Sequence, residues 1–405
     1  MDPVVEQRLI ERVLVHLSAG SSDAAEGEAR IPVGEYLDPG RLAAERRALL
    51  GRLPVLVAPA SQLAQPGDFV TVDHHGPPLL ATRDKEGRAH VFLNVCRHRG
   101  TRLVSEAAGT ARPSFVCPYH AWAYGTDGRL LGINRPQAFP ETARERPGLV
   151  ELPSAERMGM VWAALDHSAA GNADDFGAGF DASLGPLGPE LEALGRAHPF
   201  AYQPHARTWR ANWKVLVEAG LETYHFRIAH HDTISPMFHD DFLLRDRFDL
   251  HQRMVLPRRS FAALADGPRP PGSLRRHANL VYFIFPNVTI LAQADHLVLI
   301  EAYPVSVGES HVVVTMLLAG APDDERAQTY WEKNRHITLQ VLDQDFSVCE
   351  RVQEGLASGA IAETRLGRNE VGIAEFHRDI AERIGSGTSG TSGTSGTPGG
   401  ESPPG

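Results

Sequence analysis

Two short motifs constrain this chain more than any other feature: Cys96-Arg97-His98-Arg99-Gly100 and Cys117-Pro118-Tyr119-His120-Ala121-Trp122. Each pairs one thiol with one imidazole at the end of a β-rich run, His90–Val95 and Ser114–Val116, where tight loops can present ligands. Cys96 and Cys117 can supply two thiolates to one iron, and His98 and His120 two neutral imidazoles to a second. That is the donor set of a mixed-ligand [2Fe–2S] cluster. Replacing two thiolates with neutral ligands lowers the negative charge around the cluster and raises its reduction potential. Two other readings stand beside it: a structural Cys₂His₂ zinc, and core residues brought together by chance. Zinc fingers usually place both cysteines before both histidines. The order here, Cys-His then Cys-His with Pro and Arg-Gly turn residues attached, favours the cluster.

The 405 residues are enough for one large domain or two ordinary ones, and 42% of them are hydrophobic, so a sizeable core can form. The formal charge of −10 disfavours nucleic acid as a partner. It leaves room for a local basic patch that docks an acidic redox protein. No apolar run approaches the ~18 residues of a membrane span. The start, Met1-Asp2-Pro3-Val4-Val5-Glu6, lacks the basic and apolar regions of a secretory signal. Three cysteines, Cys96, Cys117 and Cys349, argue against a disulfide framework, so a reducing cytoplasm is the expected setting.

The texture of the chain changes along its length. Apolar spacing over residues 4–17 predicts an amphipathic helix, and Asp38-Pro39 predicts the cap and first position of a second. Residues 50–165 carry short β-rich runs between Gly, Pro and Asp turns and predict a small, mostly antiparallel β domain. Residues 166–200, rich in Gly, Ala and Pro, read as a loop-heavy crossing. Beyond 200, helical stretches flank predicted strands at 279–285, 296–303 and 311–318, which predicts a mixed α+β domain to residue 384. The Gly-Thr-Ser repeats from 387 form a tail with almost nothing to bury, expected to be disordered over 385–405.

A second histidine-bearing segment runs from Asn212 to His231 and contains Glu222, His225, His230 and His231. Two imidazoles and a carboxylate on one face of Fe(II) leave positions open for O₂ and substrate. The five-residue spacing of His225 and His230 does not fit one helical face, so the helix is expected to bulge or end between them. By itself the segment is equally a solvated helix in a histidine-rich chain. Farther on, Leu342, Phe346, Cys349, Gln353 and Leu356 trace one helical stripe, with Asp343 and Asp345 beside it and Cys349 read as core.

These motifs resemble the large (α) subunit of the Rieske non-heme iron oxygenases, the family of ring-hydroxylating dioxygenases and of choline and carnitine monooxygenases. The resemblance rests on Cys-x-His-Arg-Gly and Cys-Pro-Tyr-His-x-Trp. It extends to Tyr36-Leu37-Asp38-Pro39, Pro66-Gly67-Asp68 and Asn94 upstream and to Asp127-Gly128-Arg129-Leu130 downstream. Ala121 departs from it, since many members carry Gly there. The resemblance implies an α+β fold: residues 1–49 as helices packing on the catalytic domain, 50–165 as a small antiparallel β Rieske domain, and 166–384 as a larger helix-on-antiparallel-sheet, helix-grip-like catalytic domain. It implies a Rieske [2Fe–2S] cluster on Cys96, His98, Cys117 and His120. It implies mononuclear Fe(II) on His225, His230 and Asp345, with His231 and Asp343 as the alternatives if the register slips.

The resemblance further implies a homotrimer, with or without a small β subunit. Glu222 would then link His120 of one chain to His225 of the next. Many members have Asp at this bridge, and Glu is seen in those acting on quaternary ammonium compounds. Ala219 replaces an Asn that many members carry. NAD(P)H would deliver electrons through a separate reductase, with or without a ferredoxin, since the chain lacks a Gly-x-Gly-x-x-Gly fingerprint. A small substrate would be hydroxylated or dealkylated with O₂. The competing class is a Rieske electron-transfer protein without oxygenase activity. Tyr202, Trp209, Trp213, Tyr224, Phe226, Tyr282, Phe283 and Phe285 could line an aromatic pocket or a cation cage. Ordinary core is favoured for most of them.

Overall fold

The computed structural model describes residues 1–110, 112–166, 173–267 and 269–387. A seven-stranded antiparallel sheet organises the second half. Six consecutive strands form a meander: Leu244–Phe248, His251–Pro257, Ala278–Ile284, Val288–Ala292, Leu297–Ser306 and Glu309–Leu318. Phe200–Trp209 adds beside the last of them. The expected strands at 279–285, 296–303 and 311–318 are the third, fifth and sixth of this series, within a few residues at each end.

Alternation along each strand divides the sheet into two buried faces. Met254, Val281, Phe283 and Val298 lie on one, Val255, Leu280, Tyr282 and Leu299 on the other. The first face is covered by the long helix Glu325–Ala357, through Phe346, Cys349 and Leu356, and by Val371–Gly387, through Ile373, Phe376 and Ile380. The second is covered by helix Pro3–Ala19, through Leu9, Ile10 and Val13, and by Phe180, Leu184 and Leu191. Both predicted N-terminal helices form. Asp2 caps the first by accepting from Val4 N–H at 2.8 Å, and Asp38 caps Pro39–Glu45 by accepting from Gly40 N–H at 2.7 Å.

Residues 166–200 correct the expectation of a loop-heavy crossing. Helices Ala173–Leu184 and Gly188–Ala197 occupy most of this stretch, while 167–172 lie outside the described residues. Two of its glycines, Gly177 and Gly195, serve close packing rather than turns. A Cβ on Gly195 would meet the Met158 carbonyl oxygen at 1.9 Å, and one on Gly177 would meet Arg157 Nη2 at 2.9 Å. The last helix runs to Gly387, so residues 385–387 are helical rather than part of a disordered tail, and the rest of the tail, from 388, lies outside the described residues.

The β-rich region holds three small antiparallel sheets. The first orders Ala89–Leu93, Leu79–Arg83, Phe69–Val72 and Ala108–Gly109. The second orders Ser114–Val116, Ala123–Gly125 and Leu130–Gly132, and the third Ser154–Arg157, Met160–Ala163 and Val55–Pro59. The third abuts the seven-stranded sheet, where Tyr303 Oη lies 2.9 Å from the Leu56 carbonyl oxygen. Among the described residues, no helix is long and apolar enough to cross a membrane.

Two candidate metal centres

The two Cys-His motifs fold into matching loops. Cys96 N–H donates to the Thr101 carbonyl at 2.8 Å, and Gly100 N–H donates back to the Cys96 carbonyl at 3.0 Å. The second loop repeats this: Cys117 N–H donates to Trp122 at 2.8 Å, and Ala121 N–H to Cys117 at 3.0 Å. Gly100 and Ala121 therefore hold the same position, and both have positive φ, +75° and +57°. That conformation explains why Gly is favoured where this chain has Ala121. Asn94, fully buried, anchors the first loop by donating to the Val104 carbonyl at 2.7 Å and accepting from Val104 N–H at 2.9 Å.

The four side chains converge. Both thiols are buried, while the half-buried His98 and His120 bring their Nδ1 atoms within 3.1 Å of each other. His98 stacks on Trp122 at 4.9 Å, nearly parallel. Tyr124 Oη lies 3.5 Å from Cys96 Sγ and accepts from Arg97 N–H at 3.0 Å. Burial, assisted by Cys117, pushes the Cys96 thiol up against the hydrogen bonds of Tyr124 and of the His98 backbone. Burial and the adjacent His120 pull His98 down. Two buried thiols and two facing imidazoles suit an iron–sulfur group.

The second centre forms where a helix stops. Trp213–Glu218 is helical, then the chain turns, and Phe226–Ala229 gives one further turn flanked by His225 and His230. This is the break that the five-residue spacing requires. Asp345 reaches the same point from the long helix. One donor atom each from His225, His230 and Asp345 lies within 4.8 Å of the others. His230 Nε2 is 2.8 Å and His225 Nε2 3.3 Å from Asp345 Oδ1. All three atoms are buried, and none has a hydrogen bond of good geometry. This donor set fits a divalent metal.

Neighbouring groups fix both rings. Glu222 accepts from His225 Nδ1–H and from the backbone N–H of Tyr224 and His225. Gln344 Oε1 accepts from His230 Nδ1–H at 2.9 Å and from Thr233 Oγ1–H at 2.9 Å. Each imidazole thus presents Nε2 to the centre. Gln344 was not found from sequence; its place next to Asp345 was the one available signal. Burial alone would lower the pKa of His225, but Asp345 and Glu222 outweigh it and push it up to about 10. The same negative field attracts a metal cation.

The alternatives fall away from this site. His231 is exposed and pairs with Asp232 at 2.8 Å, and Asp343 is exposed and bonded to Arg207 at 3.1 Å. Of the aromatic residues, Tyr202, Trp209, Trp213, Phe283 and Phe285 belong to the core, Tyr282 lies on the opposite sheet face, and Tyr224 is exposed. Phe226 packs on both histidines, 5.0 Å from His225 and 5.4 Å from His230. An open groove of about 1060 Å³ passes His225 and Gln344, edged by Ile228, Leu339, Arg207 and Arg351.

Comparison with known proteins names the class these centres indicate. Residues 54–145 match the Rieske [2Fe–2S] domain, and residues 191–386 match the catalytic domain of the ring hydroxylating alpha subunit. The chain belongs to the Rieske non-heme iron oxygenase α subunits, and its cofactors are a Rieske [2Fe–2S] cluster and a mononuclear iron. It is 31% identical to the anthranilate 1,2-dioxygenase large subunit of Acinetobacter baylyi, over 53% of this chain and 45% of that subunit. It is 28% identical to the chloroplastic choline monooxygenase of Amaranthus tricolor, over 84% of this chain and 75% of that protein. The match thus spans about half of the first relative and three quarters of the second. The quaternary ammonium Rieske monooxygenase CntA, crystallised with an inhibitor, shares the fold, with a TM-score of 0.75 at 22% identity over 89% of this chain and 96% of that one.

Proposed function

We propose that this chain is the terminal oxygenase of a multicomponent system, taking electrons from NAD(P)H through a separate reductase, with or without a ferredoxin. It uses O₂ to hydroxylate or oxidatively dealkylate a small organic substrate, aromatic or quaternary-ammonium-like. The observation that carries this is the converging set of partnerless donor atoms on His225, His230 and Asp345. An electron-transfer protein has no use for it. Cys96, His98, Cys117 and His120 hold the cluster, and His225, His230 and Asp345 hold the iron. When bound, the cluster supplies single electrons and the iron supplies the chemistry that activates O₂.

The protein's own contribution is orientation. Glu222 and Gln344 lock the two imidazoles from behind, and Trp122 holds the ring of His98. In a homotrimer, Glu222 joins His225 to His120 of a neighbouring copy; its side chain is 11% exposed, so it can be reached from outside. Residues 1–49 and 166–384 act as one catalytic unit, and 50–165 as the cluster domain. A cytoplasmic location suits three reduced cysteines. The longer match to choline monooxygenase and the presence of Glu222 support beginning a substrate screen with quaternary ammonium compounds.

His225→Ala tests the assignment. The variant is expected to keep its cluster absorbance while losing mononuclear iron and substrate-coupled O₂ uptake. Unchanged oxygenation would sink the reading.

A further inference from the structure

A cavity of about 790 Å³ lies between the cluster region and the catalytic sheet, and none of its lining residues is a ligand of either metal centre. One wall comes from the turn Asp73–Pro77 and Leu165, another from Tyr303–Val305 and His311, and a third from the segment Arg46–Arg52. Its volume falls in the range of small-molecule sites, which favour such junctions.

The interior is flat and uncharged. The ring of His74 stacks on His311 at 5.2 Å and leans on Tyr303 at 4.8 Å, while His75 packs on Tyr303 at 4.3 Å. Burial pulls His74 down to about 2 and His75 to about 4, so both faces are neutral at physiological pH. Leu50, Leu165 and Pro77 complete an apolar lining.

The mouth is basic. Arg47 and Arg52 are exposed there and form no ion pair among the described residues. Arg46 is already engaged with the Pro304 and Val305 carbonyls at 2.7 and 2.9 Å. Of the two acids at the rim, Asp73 is held by a two-pronged pair with Arg102 at 2.8 and 2.9 Å, and Asp166 has a partner of its own. In a chain of net charge −10, two uncommitted guanidiniums beside a stack of rings select an anion with a flat apolar body.

We propose that this cavity binds a small aromatic carboxylate, with its ring against His74 and His311 and its carboxylate at Arg47 and Arg52. Because the walls come from both sides of the junction, a bound ligand stabilises the docked arrangement. The site is separate from the catalytic centre.

The test uses the full-length holoprotein with benzoate as probe, followed by calorimetric titration and thermal melting. Benzoate is expected to bind saturably and raise Tm. Cyclohexanecarboxylate, with the same charge but no flat ring, should bind more weakly, and benzyltrimethylammonium should not bind at this site. Arg47→Ala/Arg52→Ala should weaken benzoate at least about tenfold, with cluster absorbance and iron content unchanged. His225→Ala should retain benzoate binding, which separates this site from the catalytic one. The proposal is overturned if benzoate does not saturate, if the double arginine variant binds it normally, or if His225→Ala abolishes binding. Equal binding of cyclohexanecarboxylate would overturn the stacking.

Discussion

The two metal centres are built on opposite plans. Each cluster loop closes on itself within five residues, through its own backbone hydrogen bonds, and carries its Cys-His pair as a finished unit. The proposed iron ligands come from a broken helix and from a helix far along the chain, and neighbouring side chains aim them: Glu222 behind His225, and Gln344, itself bonded by Thr233, behind His230. A loop-built site depends on backbone conformation. A tertiary site depends on packing and on second partners, so the two should fail in different ways.

The largest effect expected concerns the junction that holds the two plans together. Tyr303 Oη is 2.9 Å from the Leu56 carbonyl and 2.8 Å from Glu301 Oε2, but it has only one proton to give. Burial pushes Glu301 up to about 8 against the bond from Tyr303. A protonated Glu301 can donate to Tyr303, leaving Tyr303 free to donate to Leu56. In the unfolded chain the carboxyl ionises near its ordinary 4.5. Between about 4.5 and 8 the unfolded state therefore binds fewer protons, and stability falls as pH rises, with a limiting slope of about 1.4 kcal/mol per pH unit from this group. Glu301→Gln, which keeps a donor without the charge, should flatten that slope. Denaturant unfolding across this window should give the variant a higher midpoint than wild type at pH 8 and a similar one at pH 4.5. An unchanged slope would mean that Glu301 ionises normally.

A smaller effect isolates the tertiary plan. Gln344→Ala leaves His225, His230 and Asp345 in place but frees His230 Nδ1. Loss of such a partner typically weakens metal affinity by about 10–100-fold. Iron titration of the variant should show that loss, with an unaltered cluster spectrum. Gln344→Glu, which can still accept from His230, should recover most of the affinity. Wild-type affinity in the alanine variant would show that packing alone orients the ring.

The same contrast governed what could be read in advance. The cluster residues stood out in the sequence because their geometry is local. The helix break between His225 and His230 followed from spacing, but Asp345 could be chosen over Asp343 only through the family resemblance. Nothing local distinguishes the carboxylate that faces two imidazoles from the one that meets Arg207 in solvent. Gln344 was missed because its role exists only once the long helix docks. Residues 173–197 were misread because glycine looks the same in sequence whether it turns the chain or, like Gly195, admits a backbone at close range. The alternating strands and capped helices were legible because period and cap chemistry are local.

The smallest effect tests the loop plan directly. Ala121 sits at φ +57°, a region that costs a residue with a Cβ about 1 kcal/mol or slightly more. Ala121→Gly removes that strain but adds freedom to the unfolded chain, so the net gain should be below about 1 kcal/mol. Gly100 holds the matching position, and a Cβ there would meet nothing within 4 Å. Gly100→Ala should therefore lose a comparable amount through the backbone alone, without a steric clash. Thermal release of the cluster, followed by its visible absorbance, should slow in the first variant and quicken in the second, with iron occupancy equal in both. Opposite and similar shifts would mark the two loops as equivalent units. A shift in only one would mean that Trp122 and Tyr124, which brace this region from outside the loops' own backbone, do more to hold the cluster than the backbone does.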